Sequence, residues 1–201
     1  RVDCYANSVF NDLFTNGVNA VVHLIDTLWQ GMRTGTLPTT LPEASIDEGQ
    51  RLQLELLQKW QTAGESLGGY KIGLTSGTSR NRFGAGIRPF GFILSSRIHQ
   101  SGDCLELASI GQLGLENELV FRVAQDIATD SADRHLARSV IDAVAPGFEI
   151  NQRRLTGPAA DGIRVAENLT QWGIVAGHFV PLDQDFEALT VALYRDGELI
   201  E

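Results

Sequence analysis

Cysteine is scarce in this chain: Cys4 and Cys104 are the only two, a hundred positions apart. That excludes a cysteine zinc site, a C-x-x-C redox motif and a dense disulfide framework. Two reduced thiols in a cytoplasmic protein are expected, with a single bridge as the alternative. Positive charge is also short, with 16 Lys and Arg against 25 Asp and Glu and a net charge of -9. A nucleic-acid role therefore has no electrostatic support, and no basic run suggests a membrane surface. No stretch is long and apolar enough to span a bilayer. The four histidines, His23, His99, His135 and His178, are scattered without zinc-ligand spacing. Internal repeats and low-complexity tracts are absent. What remains is an ordinary globular composition, 201 residues at 43% hydrophobic, enough for one cored domain or one domain with an appended helical segment.

Hydrophobic spacing divides the chain. Phe10, Leu13, Phe14, Val18, Val21, Leu24, Ile25, Leu28 and Met32 recur as the apolar stripe of a helix. Pro38 and Pro42 mark a loop, and Ser45 with Glu48 has the spacing of a capping box opening a second helix through Leu52, Leu56, Leu57 and Trp60. Beyond Gly68-Gly69 strands dominate: YKIGLT, GFILSSRI, a short strand in SGDCLELA, GLENELVFRV, Phe148-Glu149-Ile150, GIVAG, and LTVALYRDGELI folding into a hairpin at Asp196-Gly197. Helical spacing returns over Ser131–Val144 and Ile163–Trp172. The expected class is α+β, with a helical N-terminal segment (1–67) followed by a strand-rich mixed β domain (68–201).

The stretch GLENELVFRV raises a chemical question. In a strand, Glu116 and Glu118 point the same way, roughly 7 Å apart, and repel by under ~1 kcal/mol in water but by more as the site dries. An open, solvated face is the simpler reading of this stretch alone. The alternative is a divalent cation on oxygen ligands, magnesium, manganese or calcium. Glu149, an acid inside the apolar run APGFEI, needs a partner if buried. Arg153 or Arg154 could provide one, or Glu149 could complete a three-carboxylate metal site. Lys71 alternates with Tyr70, Ile72 and Leu74. It reads either as a solvated lysine or as one beside a metal site, binding an anionic substrate or moving a proton. Arg80 and Arg82 read as solvated loop residues or as carboxylate contacts, and Trp172 as packing.

Taken in order, GYKIGLTS, RPFGFIL, LENELVFRV, APGFEI and AENLTQWGIVAG resemble the 2-keto-4-pentenoate hydratase and 4-oxalocrotonate decarboxylase group of the fumarylacetoacetate hydrolase superfamily. The resemblance runs from about Ile46 to Glu201. It implies a fumarylacetoacetate-hydrolase-like fold and a magnesium or manganese site on Glu116, Glu118 and Glu149. It also implies Lys71 as the catalytic residue, and Thr75, Ser76 and Asn168 as substrate contacts. The implied activity is a lyase reaction on a short unsaturated 2-keto acid such as 2-hydroxypenta-2,4-dienoate, by hydration or decarboxylation, in aromatic-compound catabolism. A homo-oligomer, or pairing with a homologous enzyme, is implied as well. The alternatives are an acylpyruvate-type C–C hydrolase, for which no H-x-x-E segment precedes Lys71, and a degenerate member with a structural or partner role.

The chain departs from the group's pattern at several places. Leu113-Gly114-Leu115 precedes the first glutamate where arginine and often proline are usual. Asn151-Gln152-Arg153-Arg154 stands for V-D-S-R, Pro89 for an aspartate, and Thr170-Gln171 for a serine pair. The chain starts at Arg1 without a methionine and stops at Glu201, where the group continues into further strands. A trimmed N-terminus and an incomplete C-terminus, or missing strands supplied by another chain, are therefore expected.

Overall fold

Ser45 begins the best-defined helix. Its hydroxyl accepts from the Glu48 N–H at 3.3 Å, while the Glu48 carboxylate accepts from the Ser45 N–H at 2.8 Å. This is the expected capping box, and it satisfies two of the N–H groups a helix end leaves unpaired. The computed structural model describes residues 23–75, 77–128, 133–183 and 190–200. Four helices occur there: α1 (23–34), α2 (Ile46–Thr62), α3 (Arg134–Val140) and α4 (Asp161–Ala166). The expected helical stripe from Phe10 to Val21 lies outside the described residues, as does Cys4. Cys104 is free and exposed.

Among the described residues nine strands follow the order β1 (Leu67–Ile72), β2 (Phe90–Leu94), β3 (Ile98–Gln100), β4 (Leu113–Val123), β5 (Ile141–Gln152), β6 (Gln171–Ala176), β7 (Val180–Pro181), β8 (Tyr194–Arg195) and β9 (Glu198–Leu199). β1 and β2 form an antiparallel pair. The main sheet runs β3-β6-β5-β4, with β7 also on β5. Its pairings are antiparallel except β3 with β6. The expected hairpin forms between β8 and β9, with Asp196 and Gly197 at φ 53° and 86°, the left-handed pair that a two-residue turn requires.

Helices and strands share one core. Leu28 of α1, Leu56 of α2, Ile163 of α4, and Phe92 and Leu94 of β2 belong to the same buried cluster. Each such side chain contributes about 1.5–3 kcal/mol by leaving water. α2 meets α4 backbone to backbone: a Cβ on Gly49 would lie 2.0 Å from the Gly162 carbonyl oxygen, so only glycine permits this approach.

Several sequence expectations change. Helix α3 ends at Val140, and Ile141 to Val144 belong to the twelve-residue strand β5. The apolar spacing suits a helix locally, but pairing with β4 along nearly its whole length decides otherwise. Phe148-Glu149-Ile150 is thus the interior of a long strand. Helix α4 stops at Ala166, because Asn168, Leu169 and Thr170 take left-handed φ values of 71°, 53° and 62°. Trp172 then enters β6, stacked on His99 with ring centroids 5.8 Å apart. GFILSSRI is split by a turn of 3-10 helix into β2 and β3, which belong to different sheets. The strand expected in SGDCLELA is instead a turn leading to a short 3-10 helix.

Candidate metal centre

Strand register answers the question posed by the two glutamates. Glu116 on β4 lies directly opposite Glu149 on β5, and Glu118 lies opposite Gly147. Directly opposed residues share a face of the sheet, so three carboxylates point the same way. Each offers an oxygen within 4.8 Å of the others. Glu116 is exposed, Glu118 half-buried and Glu149 only 3% exposed.

Burial is the largest electrostatic influence on both Glu118 and Glu149. Burial raises the Glu149 carboxyl above the ordinary range, against the opposing pull of Lys71. Burial also raises Glu118, and the charges of Glu149 and Glu116 add to the effect. The Lys71 ammonium lies 2.8 Å from Glu149 Oε1 and 3.4 Å from the Leu169 carbonyl oxygen. Lys71, rather than Arg153 or Arg154, is therefore the partner that Glu149 needs.

Lys71 reaches the carboxylates from the other sheet. On β1 it is registered opposite Gly91 of β2, and a Cβ on Gly91 would meet the lysine stem at 3.2 Å. Asn168 fixes β2 in place. Its side-chain oxygen accepts from the Phe92 N–H at 2.8 Å and its amide donates to the Phe92 carbonyl at 2.9 Å. Both polar ends of Asn168 are thus spent on backbone, in the wall behind the site.

Beneath these residues the turn after α4 is held by a buried ion pair. Arg154 Nε lies 2.9 Å from Glu167 Oε2, and the same guanidinium donates to the carbonyls of Glu167 and Gln171 and to Gln152 Oε1. The Glu167 carboxylate also accepts from the Thr170 N–H at 2.6 Å. Burial pushes the Glu167 carboxyl up, countered by Arg154 and by that backbone N–H. Left-handed backbone at a non-glycine residue costs about 1–3 kcal/mol, and these contacts hold three such residues in place.

The structure therefore brings Glu116, Glu118, Glu149 and Lys71 together and sets Asn168 directly behind them. Thr75 is exposed in the loop after β1, and Ser76 lies outside the described residues. Two residues that stand in the sequence only as departures from the group's pattern also lie at the cluster. Asn151, on the carboxylate face of β5 two positions beyond Glu149, donates from Nδ2 to Glu116 Oε1 at 2.8 Å. Thr170 Oγ1 lies 2.7 Å from Asn151 Oδ1. The two-residue alternation from Glu149 would have marked Asn151; nothing local marks Thr170.

No family model matches the chain. Among curated proteins, a 2-hydroxyhexa-2,4-dienoate hydratase of Comamonas testosteroni is 26% identical over 162 residues, covering 78% of this chain and 61% of that protein. A 2-hydroxypent-2,4-dienoate hydratase of Pseudomonas putida is 25% identical over 181 residues, covering 88% and 80%. A 2-keto-4-pentenoate hydratase of Burkholderia vietnamiensis is 30% identical over 149 residues, covering 70% and 55%. Among solved structures, the 4-oxalocrotonate decarboxylase of Pseudomonas putida G7, complexed with magnesium and adipate, superposes with a TM-score of 0.80 at 18% identity, covering 90% of this chain and 71% of that one. The chain is thus similar in sequence to 2-keto-4-pentenoate hydratases and in fold to a 4-oxalocrotonate decarboxylase, the resemblance its ordered motifs carry.

The chain is at most 30% identical to these relatives. It spans less than two thirds of the Comamonas protein's length. The decarboxylase likeness gives the fold, α+β with helices first and a strand-rich fumarylacetoacetate-hydrolase-like part after them. The three glutamates expected from the resemblance form the cluster described above, and their hard oxygen donors can hold a divalent metal. Among the described residues no helix is long and apolar enough to cross a membrane.

Proposed function

We propose that this chain is a divalent-metal-dependent lyase acting on a short unsaturated 2-keto acid, as a hydratase of a 2-hydroxy-2,4-dienoate or as a decarboxylase of the same group. The observation that carries the reading is the convergence of Glu116, Glu118 and Glu149 beside the Lys71 ammonium. The hydratase relatives and the magnesium-bound decarboxylase neighbour support it. Magnesium, or manganese, fits the donor set, because three carboxylates leave coordination positions open for substrate oxygens.

Bound at the triad, such an ion supplies a Lewis acid for the carboxylate and oxo oxygens of a 2-keto acid, where negative charge builds during either reaction. The protein's own part falls to Lys71. An ammonium has three N–H donors. One goes to Glu149 and one to the Leu169 carbonyl, leaving one for a substrate carboxylate or for transfer of a proton. Thr75 and Ser76 are proposed as further substrate contacts, and Asn168 as the residue that holds β2 in place beside Lys71.

The reading extends to a cytoplasmic enzyme that works as a homo-oligomer or beside a homologous partner. Support comes from Leu115, Leu119 and Val123, exposed along the edge strand β4, since unpartnered apolar strand faces favour association. The test is direct. Purified protein with 2-hydroxypenta-2,4-dienoate and magnesium should consume the dienol and stop when the metal is chelated. In parallel, a 2-oxo-3-enedioate is tested for carbon dioxide release. Inactivity on both substrates, with magnesium bound, sinks the lyase reading.

A further inference from the structure

We propose that Asn151 is a positioning residue for the metal centre: it aims the Glu116 carboxylate, and Thr170 in turn fixes Asn151. The proposal rests on the metal-centre reading above and adds to it two residues outside the ligand set.

Glu116 is the exposed member of the triad, a side chain free to adopt many rotamers in water. Asn151 is 5% exposed and donates to Glu116 Oε1 at 2.8 Å. An ionised carboxylate only accepts hydrogen bonds, so the amide nitrogen must face Glu116 and the amide oxygen must face away. That oxygen meets the Thr170 hydroxyl at 2.7 Å. A hydroxyl donates one proton, and Thr170 has two acceptors in reach, Asn151 Oδ1 and the Leu169 carbonyl oxygen.

Thr170 is not free to wander. Its backbone sits at φ 62° in the left-handed turn, and its N–H is held by the buried Glu167 carboxylate. A rigid chain of contacts therefore runs from the Arg154–Glu167 pair through Thr170 and Asn151 to Glu116. The same turn offers the Leu169 carbonyl to Lys71, so one strained segment sets both the exposed carboxylate and the lysine. Partners behind metal ligands typically change metal affinity by about 10–100-fold when removed, because they hold the ligand in its binding orientation.

The test is calorimetric titration of the metal-free protein with magnesium chloride alone, with thermal unfolding as a check on folding. Asn151→Leu keeps the volume and removes the donor, and it should weaken magnesium binding by about tenfold. Thr170→Val keeps the shape and removes the hydroxyl, and it should weaken binding less; Thr170→Ser should restore parental affinity. The double variant Asn151→Leu, Thr170→Val should bind like Asn151→Leu, because the two residues act in series. If Asn151→Leu does not fold, the contrast between Thr170→Val and Thr170→Ser decides the matter. A parent that binds magnesium while Asn151→Leu, or Thr170→Val in its place, binds equally well overturns this proposal alone. A parent that binds no magnesium overturns the metal-centre reading and this proposal with it.

Discussion

Arg154 and Glu167 form an ion pair with side-chain exposures of 0% and 1%, 2.9 Å apart, directly under the turn that carries Asn168, Leu169 and Thr170. Neither charge can reach water if the other is removed. Glu167→Leu is expected to destabilise the protein by about 3–5 kcal/mol, the usual result of leaving one buried charge unpaired. Adding Arg154→Met to that variant should recover a large part of the loss. Urea unfolding of the two variants measures this, and a loss below about 1 kcal/mol for Glu167→Leu would contradict the account.

Replacing Glu116, Glu118 or Glu149 by Gln exchanges an anionic oxygen donor for a neutral one. Each variant should bind magnesium at least about tenfold more weakly, since even partners outside the ligand set contribute that much. Three variants with parental affinity in a calorimetric titration would remove the triad assignment.

Lys71 supplies the positive charge that the carboxylates hold when no metal is bound, with its ammonium 2.8 Å from Glu149. Lys71→Ala should therefore lower the melting temperature of the metal-free protein, and added magnesium should reverse the loss. Its magnesium affinity should be no weaker than the parent's, while turnover should fall. Parental turnover would reduce Lys71 to a structural counter-charge.

The Glu118 carboxyl is raised above its ordinary value of 4.5 by burial, then by Glu149 and Glu116. A raised acid binds its proton more tightly in the folded protein than in the unfolded chain. Stability from this group is thus complete below about pH 4.5 and is lost as pH climbs through the folded-state value. In metal-free protein at neutral pH, Glu118→Gln should melt higher than the parent, with the gap closing on acidification below pH 4.5. A gap that widened on acidification would reverse the assigned direction.

The sequence by itself determined what depends on near neighbours in the chain. Ser45 and Glu48 mark the start of α2 because a capping box is completed within four residues. Asp196-Gly197 marks a hairpin because its turn needs two left-handed residues. Glu116 and Glu118 share a face because strand side chains alternate. The ordered segments from GYKIGLTS to AENLTQWGIVAG carried the resemblance and, with it, the expectation that Lys71 and Glu149 lie near one another.

Only the tertiary structure decided the rest, because the deciding contacts cross the chain. Ile141 to Val144 carry a helical pattern, yet β4 draws them into β5 by pairing that no local window contains. The register of those strands is what puts Glu116 opposite Glu149, and the β1–β2 pair is what brings Lys71 to Glu149 across 78 residues. α4 ends where the Arg154–Glu167 pair can hold Asn168 to Thr170 in left-handed backbone, a conformation that the Leu169 and Thr170 side chains disfavour. That turn fixes Thr170 beside Asn151 and Asn151 beside Glu116, an arrangement set by packing rather than by any spacing in the sequence.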